Sequence, residues 1–541
     1  MFGGRKTLTG YSMRKAVDAA TRGGAVAHFP CGDVLGVTVD GLSVYRGIPY
    51  ALPPVGHRRW RRPEPVVPWH GVRDAIASGP ACVQPSRRVG SIYDRPLAAT
   101  SEDCLYLDIW APEGARDLPV LVWIHGGSFV WGAGSDPLYD GAALARRGAV
   151  VVSINYRLGI FGYLAHPELS AESPDGVSGN YGLLDQIAAL AWVRDNIAAV
   201  GGDPANVTVA GESAGALSVL YLLASPGARG LFAKAIAQSA YMISMPALRE
   251  RRHGHVPAEV AGEGLAKSLG ARNVGALRAM DAEDLADAAL RAGFTPLGTI
   301  DGHLLPAQLV DVFERGHQAK VPLIAGFNGG EIRSLPFLIP TLPQAGKEYE
   351  EEIRRRYGSL AERFLALYGP GNLRESALAS IRDALYGWTA LKLAEAQKGI
   401  GAPAFVYLFD HSYPAASEAG LDAFHGCELT YLFGTADHTP PLWPAVPATK
   451  TEAALSRAMG DYWISFASAA APTPEDWPDW PDHTITGRHM YFADVPGVET
   501  DLMPGMFALA DEVVRQRRNA GDVPWNWNVG VAAPLPDADT R

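Results

Sequence analysis

The sequence predicts an α/β fold with a large central, mostly parallel sheet flanked by helices. Three observations carry this expectation. Short, nearly continuous apolar runs recur through the middle of the chain, segments of helical periodicity lie between several of them, and no repeat or low-complexity linker interrupts the pattern. A strand covered on both faces reads as an unbroken apolar run, and buried strands alternating with helices imply a parallel sheet with helices on either side.

The apolar runs are PVLVWI (119–124), AVVVSIN (149–155), NVTVAG (206–211), AKAIAQS (233–239), VPLIAG (321–326) and FVYLF (405–409). The clearest helical segment is 183–200, where apolar residues return every three or four positions. The beginning differs in kind. In VLGVTVDGLSVYRGIPYA (34–51), Asp40-Gly41 sits between alternating apolar residues, which predicts a small N-terminal β-hairpin region. The stretches 241–300 and 334–345 look irregular. They are expected to be insertions over the ends of the strands, where open α/β sheets bind ligands. Residues 1–24 read as an N-terminal extension and 25–541 as one domain.

Composition narrows the partners. The 541 residues are 48% hydrophobic and 19% charged, as expected of a globular protein with a large core. A formal net charge of -11 argues against nucleic acid, which needs clustered positive charge, and against anionic membrane surfaces. No apolar stretch approaches the roughly 20 residues of a membrane span. The N-terminus lacks a signal-type apolar run, so a cytoplasmic location is expected, with secretion open if a leader was removed. Oligomeric state is left open. No metal or nucleotide motif stands out, and no cofactor is expected. Cys82 and Cys104 bracket a Pro/Ser/Arg-rich loop. They could close it as a disulfide or stay thiols in a reducing compartment.

The chemistry-bearing residues begin with Gly211-Glu212-Ser213-Ala214-Gly215, a G-x-S-x-G pentapeptide. A predicted strand precedes it and a helix-like ALSVLYLLA follows, the strand–turn–helix context of a nucleophile elbow. Serine needs a base to take its proton, usually a histidine held by a carboxylate. With 14 histidines, chain order alone does not choose one. His125-Gly126-Gly127-Ser128-Phe129 follows the run at 119–124 and is similar to the Gly-rich loops that supply oxyanion donors. The N–H groups of Gly127, Ser128 and Ala214 are the expected donors. Ser128 stands where a third glycine is common, and can serve if its φ is negative.

These motifs, with YRGIPYALPPVG (45–56), SEDCLYLDIW (101–110), WIHGGSFVWG (123–132), NYRLGIFGYL (155–164) and GNYGLLDQ (179–186), resemble the type-B carboxylesterase and cholinesterase family of the α/β-hydrolase fold. The resemblance runs from about Val34 to Phe492. It implies a carboxylic-ester hydrolase with an acyl-enzyme intermediate and a small-molecule ester substrate. The family acid falls at Glu331 in Phe327-Asn328-Gly329-Gly330-Glu331, a partial match, and the family histidine at His425 in His425-Gly426-Cys427-Glu428. Ser213, Glu331 and His425 are then the catalytic triad. Cys82 and Cys104 align with the family's first disulfide loop, Arg46 and Glu102 with its structural ion pair, and Glu212 with a glutamate of its active-site network. Opposing effects of charge and burial on His425 lead to an expected acid limb of activity between roughly pH 5 and 7.5.

Phe129, Trp131, Tyr241 and Phe337 are the candidate pocket aromatics. A lipase, a carbamate or amide hydrolase, and a fumonisin-type esterase, to which AHPELSAESPDGVSGNYGLLD (165–185) is similar, remain alternatives on the same scaffold. A catalytically inactive binding module would normally have lost the serine or the histidine. The sequon Asn206-Val207-Thr208 is expected to be inaccessible, the basic run 249–253 to be a solvated patch, and Cys427 a buried small side chain.

Overall fold

A computed structural model describes residues 24–86, 90–525 and 528–535, so most of the predicted N-terminal extension lies outside the described residues. The chain enters as an antiparallel meander of β1 (Gly24–Phe29), β2 (Gly32–Val39) and β3 (Leu42–Pro49). Asp40 and Gly41 take φ of 49° and 75°, the paired positive values of a hairpin turn that matches strand twist. β4 (Val72–Asp74) lies beside β2.

The sheet continues through β5 (Tyr106–Pro112), β6 (Leu118–Ile124), β7 (Val150–Ile154), β8 (Gly202–Glu212), β9 (Lys234–Gln238), β10 (Leu323–Asn328), β11 (Ala404–Phe409), β12 (His489–Phe492) and β13 (Pro496–Glu499). Its spatial order is β1-β2-β3-β5-β7-β6-β8-β9-β10-β11-β12-β13. From β7 to β12 every neighbouring pair is parallel. Each predicted apolar run is one of these parallel strands.

The reason is visible in β6. Val120, Val122 and Ile124 point into one core cluster while Leu121 and Trp123 point into the other. With apolar layers on both faces, alternation disappears from the sequence. Helices α1 (Tyr181–Asn196) and α2 (Ala214–Ala224) cover the first face, and every residue of α2 is buried.

The expectation for 241–300 is corrected. This insertion carries α3 (Ala258–Ser268), α4 (Val274–Arg278) and α5 (Ala282–Arg291). Asn273 and Asp281 cap α4 and α5 by accepting main-chain N–H groups. Helices this short give too few apolar repeats to stand out from the glycines between them. By contrast, 334–345 holds only a short 3-10 turn at Pro336–Leu338. Further along, α6 (Trp388–Gly399) joins the first face, α7 (Lys450–Ala469) covers the second, and α8 (Met506–Asn519) packs outside α6. Among the described residues no helix is long and apolar enough to cross a membrane.

The Arg46–Glu102 pairing is also corrected. Glu102 accepts two hydrogen bonds of 2.6 Å from the Arg59 guanidinium, and Arg46 reaches Asp140 at 3.3 Å. The deepest ion pair joins Arg157, just beyond β7, to Asp185 on α1. Asp185 Oδ2 accepts from the Arg157 main-chain N–H and Nε at 3.0 and 2.7 Å, and Oδ1 accepts from Nη2 at 2.7 Å. Both side chains are buried. Cutting one partner from such a pair leaves an uncompensated charge. Asp185→Ala is expected to lower unfolding free energy by about 3–5 kcal/mol in denaturant titrations, while the paired replacement Arg157→Met/Asp185→Leu costs less than Asp185→Ala alone.

Candidate active site

β8 ends at Glu212, Ser213 turns sharply with φ 57° and ψ -122°, and α2 begins at Ala214. Ser213 N–H donates to Gln238 O at the end of β9 (3.0 Å), and Ser213 O accepts from Leu217 N–H (2.9 Å). Positive φ strains a residue with a side chain and persists only where its surroundings impose it. Here the surroundings are backbone. A Cβ on Gly215 would lie 2.0 Å from Ile124 O, so the elbow rests directly on the end of β6. A Cβ on Gly126 would lie 2.9 Å from Glu212 O, so the loop after β6 lies against the elbow as well.

Ser128 departs from expectation. Its φ is 57°, and Phe129 follows at 58°. Gly127 O accepts the N–H groups of Val130 (3.0 Å) and Trp131 (2.9 Å), and Phe129 O accepts Gly159 N–H (2.7 Å). This tight turn imposes the left-handed backbone on residues that do not favour it. Among the described residues the N–H groups of Gly127, Ser128 and Ala214 donate to no protein acceptor.

Glu331, with no solvent exposure, meets three donors. Asn328 N–H (2.8 Å) and Ser239 Oγ (2.6 Å) donate to Oε1, while Oε2 pairs with His425 Nδ1. The other ring nitrogen, Nε2, stands 3.1 Å from Glu212 Oε1, beside the elbow serine. No hydrogen bond joins His425 to Ser213 Oγ in this resting arrangement. Ser213 is partly exposed, whereas Glu212 and His425 are buried. Glu428 lies behind them, accepting from Asn328 Nδ2 (2.6 Å) and Gln238 Nε2 (3.1 Å).

Three carboxylates therefore surround one imidazole. Burial works against the imidazolium of His425, but Glu212 and Glu331 outweigh it and raise its pKa to about 9. Burial also raises Glu212, to about 8, with His425 opposing. Burial raises Glu428 to about 7. Their facing charges favour the imidazolium, so an acid limb of activity is expected to belong to the Glu212–His425 pair and to be pushed upward from the ordinary imidazole range.

The pocket candidates separate. Tyr241 packs edge-on to Tyr386 (6.1 Å between ring centres), whose ring leans on His425 (5.5 Å). Phe129 is corrected to a core residue, 1% exposed against Tyr163 and Tyr221. Trp131 is partly buried and donates to Pro85 O (3.0 Å). Phe337 is 73% exposed on its turn and makes no ring contact with the cluster. Cys82 and Cys104 are buried and unbridged in this structure. Cys427 is buried, and burial pushes its thiol up, away from nucleophilic use. In the basic run, Arg249 pairs with Glu259 and Arg251 with Asp522, while Thr208 of the sequon is fully buried. Sequence reasoning missed Ser239, Tyr386, Glu428 and Tyr93. Glu428 alone had a signal, in its place three residues after His425.

Solved structures share this fold. A PNB esterase structure superposes with a TM-score of 0.78 at 36% identity, covering 90% of this chain and 99% of that one. The architecture is that of an α/β-hydrolase. The model of the carboxylesterase family matches residues 24–499, and the chain belongs to that family. A para-nitrobenzyl esterase of Bacillus subtilis is 39% identical over 470 residues, 84% of this chain and 92% of that protein. A fumonisin B1 esterase of Sphingopyxis macrogoltabida is 38% identical over 491 residues, 87% of each chain. The protein is a carboxylic-ester hydrolase.

The Glu212 contact has a signed consequence. Glu212→Gln removes a negative charge facing Nε2, so His425 gives up its proton more easily and the base form survives to lower pH. The acid limb of kcat/KM should shift to lower pH, as measured in pH–rate profiles. A shift to higher pH would contradict the placement of Glu212.

Proposed function

We propose that Ser213, His425 and Glu331 perform this hydrolysis as a triad. The observation that carries the reading is the buried Glu331–His425 pair, whose other ring nitrogen lies against Glu212, the residue next to Ser213 on the elbow. His425 Nε2 takes the Ser213 Oγ proton while Oγ attacks the ester carbonyl carbon. The resulting oxyanion accepts hydrogen bonds from the N–H groups of Gly127, Ser128 and Ala214, which donate to no protein acceptor among the described residues; Ser128 keeps this role at positive φ, where the turn closed on Gly127 O, and not a negative φ, sets its backbone. Collapse expels the alcohol, which leaves with the proton from His425. Water then attacks the acyl-enzyme by the same route and releases the acid and free Ser213. Glu331 holds the imidazole in orientation and stabilises its cationic form without itself taking the proton.

A single catalytic unit from residue 25 onward fits the unbroken sheet. Tyr241 and Tyr386, beside His425, give the substrate site an aromatic wall. This suits an ester with apolar or aromatic surface. The relatives supply two substrates for a comparative panel, p-nitrobenzyl esters and fumonisin B1, alongside esters of graded acyl and alcohol size.

Ser213→Ala should retain the fold by circular dichroism and lose on the order of a million-fold in kcat. Retention of a tenth of wild-type activity would exclude Ser213 as the nucleophile. Glu331→Gln should be less damaging than His425→Ala. A silent Glu331→Gln would mean that another carboxylate orients the imidazole.

A further inference from the structure

Tyr93 comes from the loop between Cys82 and Cys104, far in sequence from every triad residue. Its hydroxyl lies 2.8 Å from the main-chain carbonyl oxygen of His425 and 2.7 Å from Ser334 Oγ. A phenol has one proton, and a carbonyl oxygen can only accept. The Tyr93 proton therefore serves His425 O, which leaves Ser334 to donate to the phenolic oxygen. Ser334 closes the 3-10 turn that begins at Glu331. The contact thus links the base and the acid of the triad through one side chain.

The ring of Tyr93 is itself fixed. It stands edge-on to Trp443 (5.8 Å), and Trp443 stands edge-on to Phe424 (4.8 Å), the residue before His425. The same loop also holds the opposite side of the site. Gln84 exchanges two hydrogen bonds of 3.0 Å with the main chain of Gly132, and Pro85 O accepts from Trp131 Nε1. We propose that Tyr93 is a positioning residue for ester hydrolysis, holding the His425 backbone so that its imidazole spans Glu331 and the elbow serine. This inference rests on the triad reading above.

His425 is faced by Glu212 from β8, Glu331 from the turn after β10, Glu428 from its own loop, and the phenols of Tyr93 and Tyr386. A loosened backbone lets the ring drift from the two carboxylates that favour its cation. Small misplacements of a catalytic group cost rate much more than binding. Tyr93→Phe should therefore lower kcat about tenfold with KM within about twofold, and move the acid limb to lower pH. Ser334→Ala should give a smaller change of the same sign. Because the two side chains form one relay, Tyr93→Phe/Ser334→Ala should be no worse than Tyr93→Phe alone.

Wild-type kcat and acid limb in Tyr93→Phe would overturn the proposal. So would a raised KM with unchanged kcat, which marks a substrate contact, or full multiplication of the two single effects. If Tyr93→Phe does not fold, Ser334→Ala decides by the same readouts. Activity surviving Ser213→Ala would sink the triad reading. An inactive Ser213→Ala beside a kinetically normal Tyr93→Phe would sink this inference alone.

Discussion

Glu331 is a carboxylate with no exposure to solvent, and the site is organised around making that tolerable. A buried charge is stable only when its lone pairs are filled and an opposite charge is near. Its partners come from three places: the main chain at the end of β10, the hydroxyl of Ser239 just past β9, and His425 in a loop almost a hundred residues later. Meeting those demands draws three segments together at the carboxyl ends of adjacent parallel strands. This is where the parallel architecture leaves a crevice.

The same requirement explains the crowding of acids. Glu212 and Glu428 are also buried, Glu428 as completely as Glu331, and burial pushes both toward their protonated forms. His425 gains from their charge. Their charges favour the imidazolium of His425, while burial favours the protonated carboxyls.

Close backbone approach is the second constraint. The Gly-rich loop, the elbow and the end of β6 touch main chain to main chain, so Gly126 and Gly215 have no room for a side chain. Ser213 and Ser128 are held in left-handed backbone between them. Ser213 stays partly exposed there, and the N–H groups of Gly127, Ser128 and Ala214 donate to no protein acceptor among the described residues. The Cys82–Cys104 loop braces this assembly from outside, through Gln84 on one flank and Tyr93 on the other.

Much of this was legible in the chain. Runs such as PVLVWI specify strands buried on both faces because burial on both faces removes alternation. G-x-S-x-G between a strand and a helix specifies an elbow because the turn needs small neighbours. The helices of 241–300 were hidden because short amphipathic segments carry little periodic signal. Phe129 looked like a pocket residue because aromatic character is visible in sequence, whereas the direction of a side chain is not. The sign of φ at Ser128 and the partner of Glu102 depend on which backbone or guanidinium arrives from elsewhere. The sequence by itself determined the parallel sheet and the ester-hydrolase family, and singled out Ser213, Glu331 and His425 as the candidate triad, since periodicity and local motif encode those. Only the tertiary structure decided the contacts of His425 with Glu212 and with Tyr93, because both arise from groups that meet across hundreds of residues.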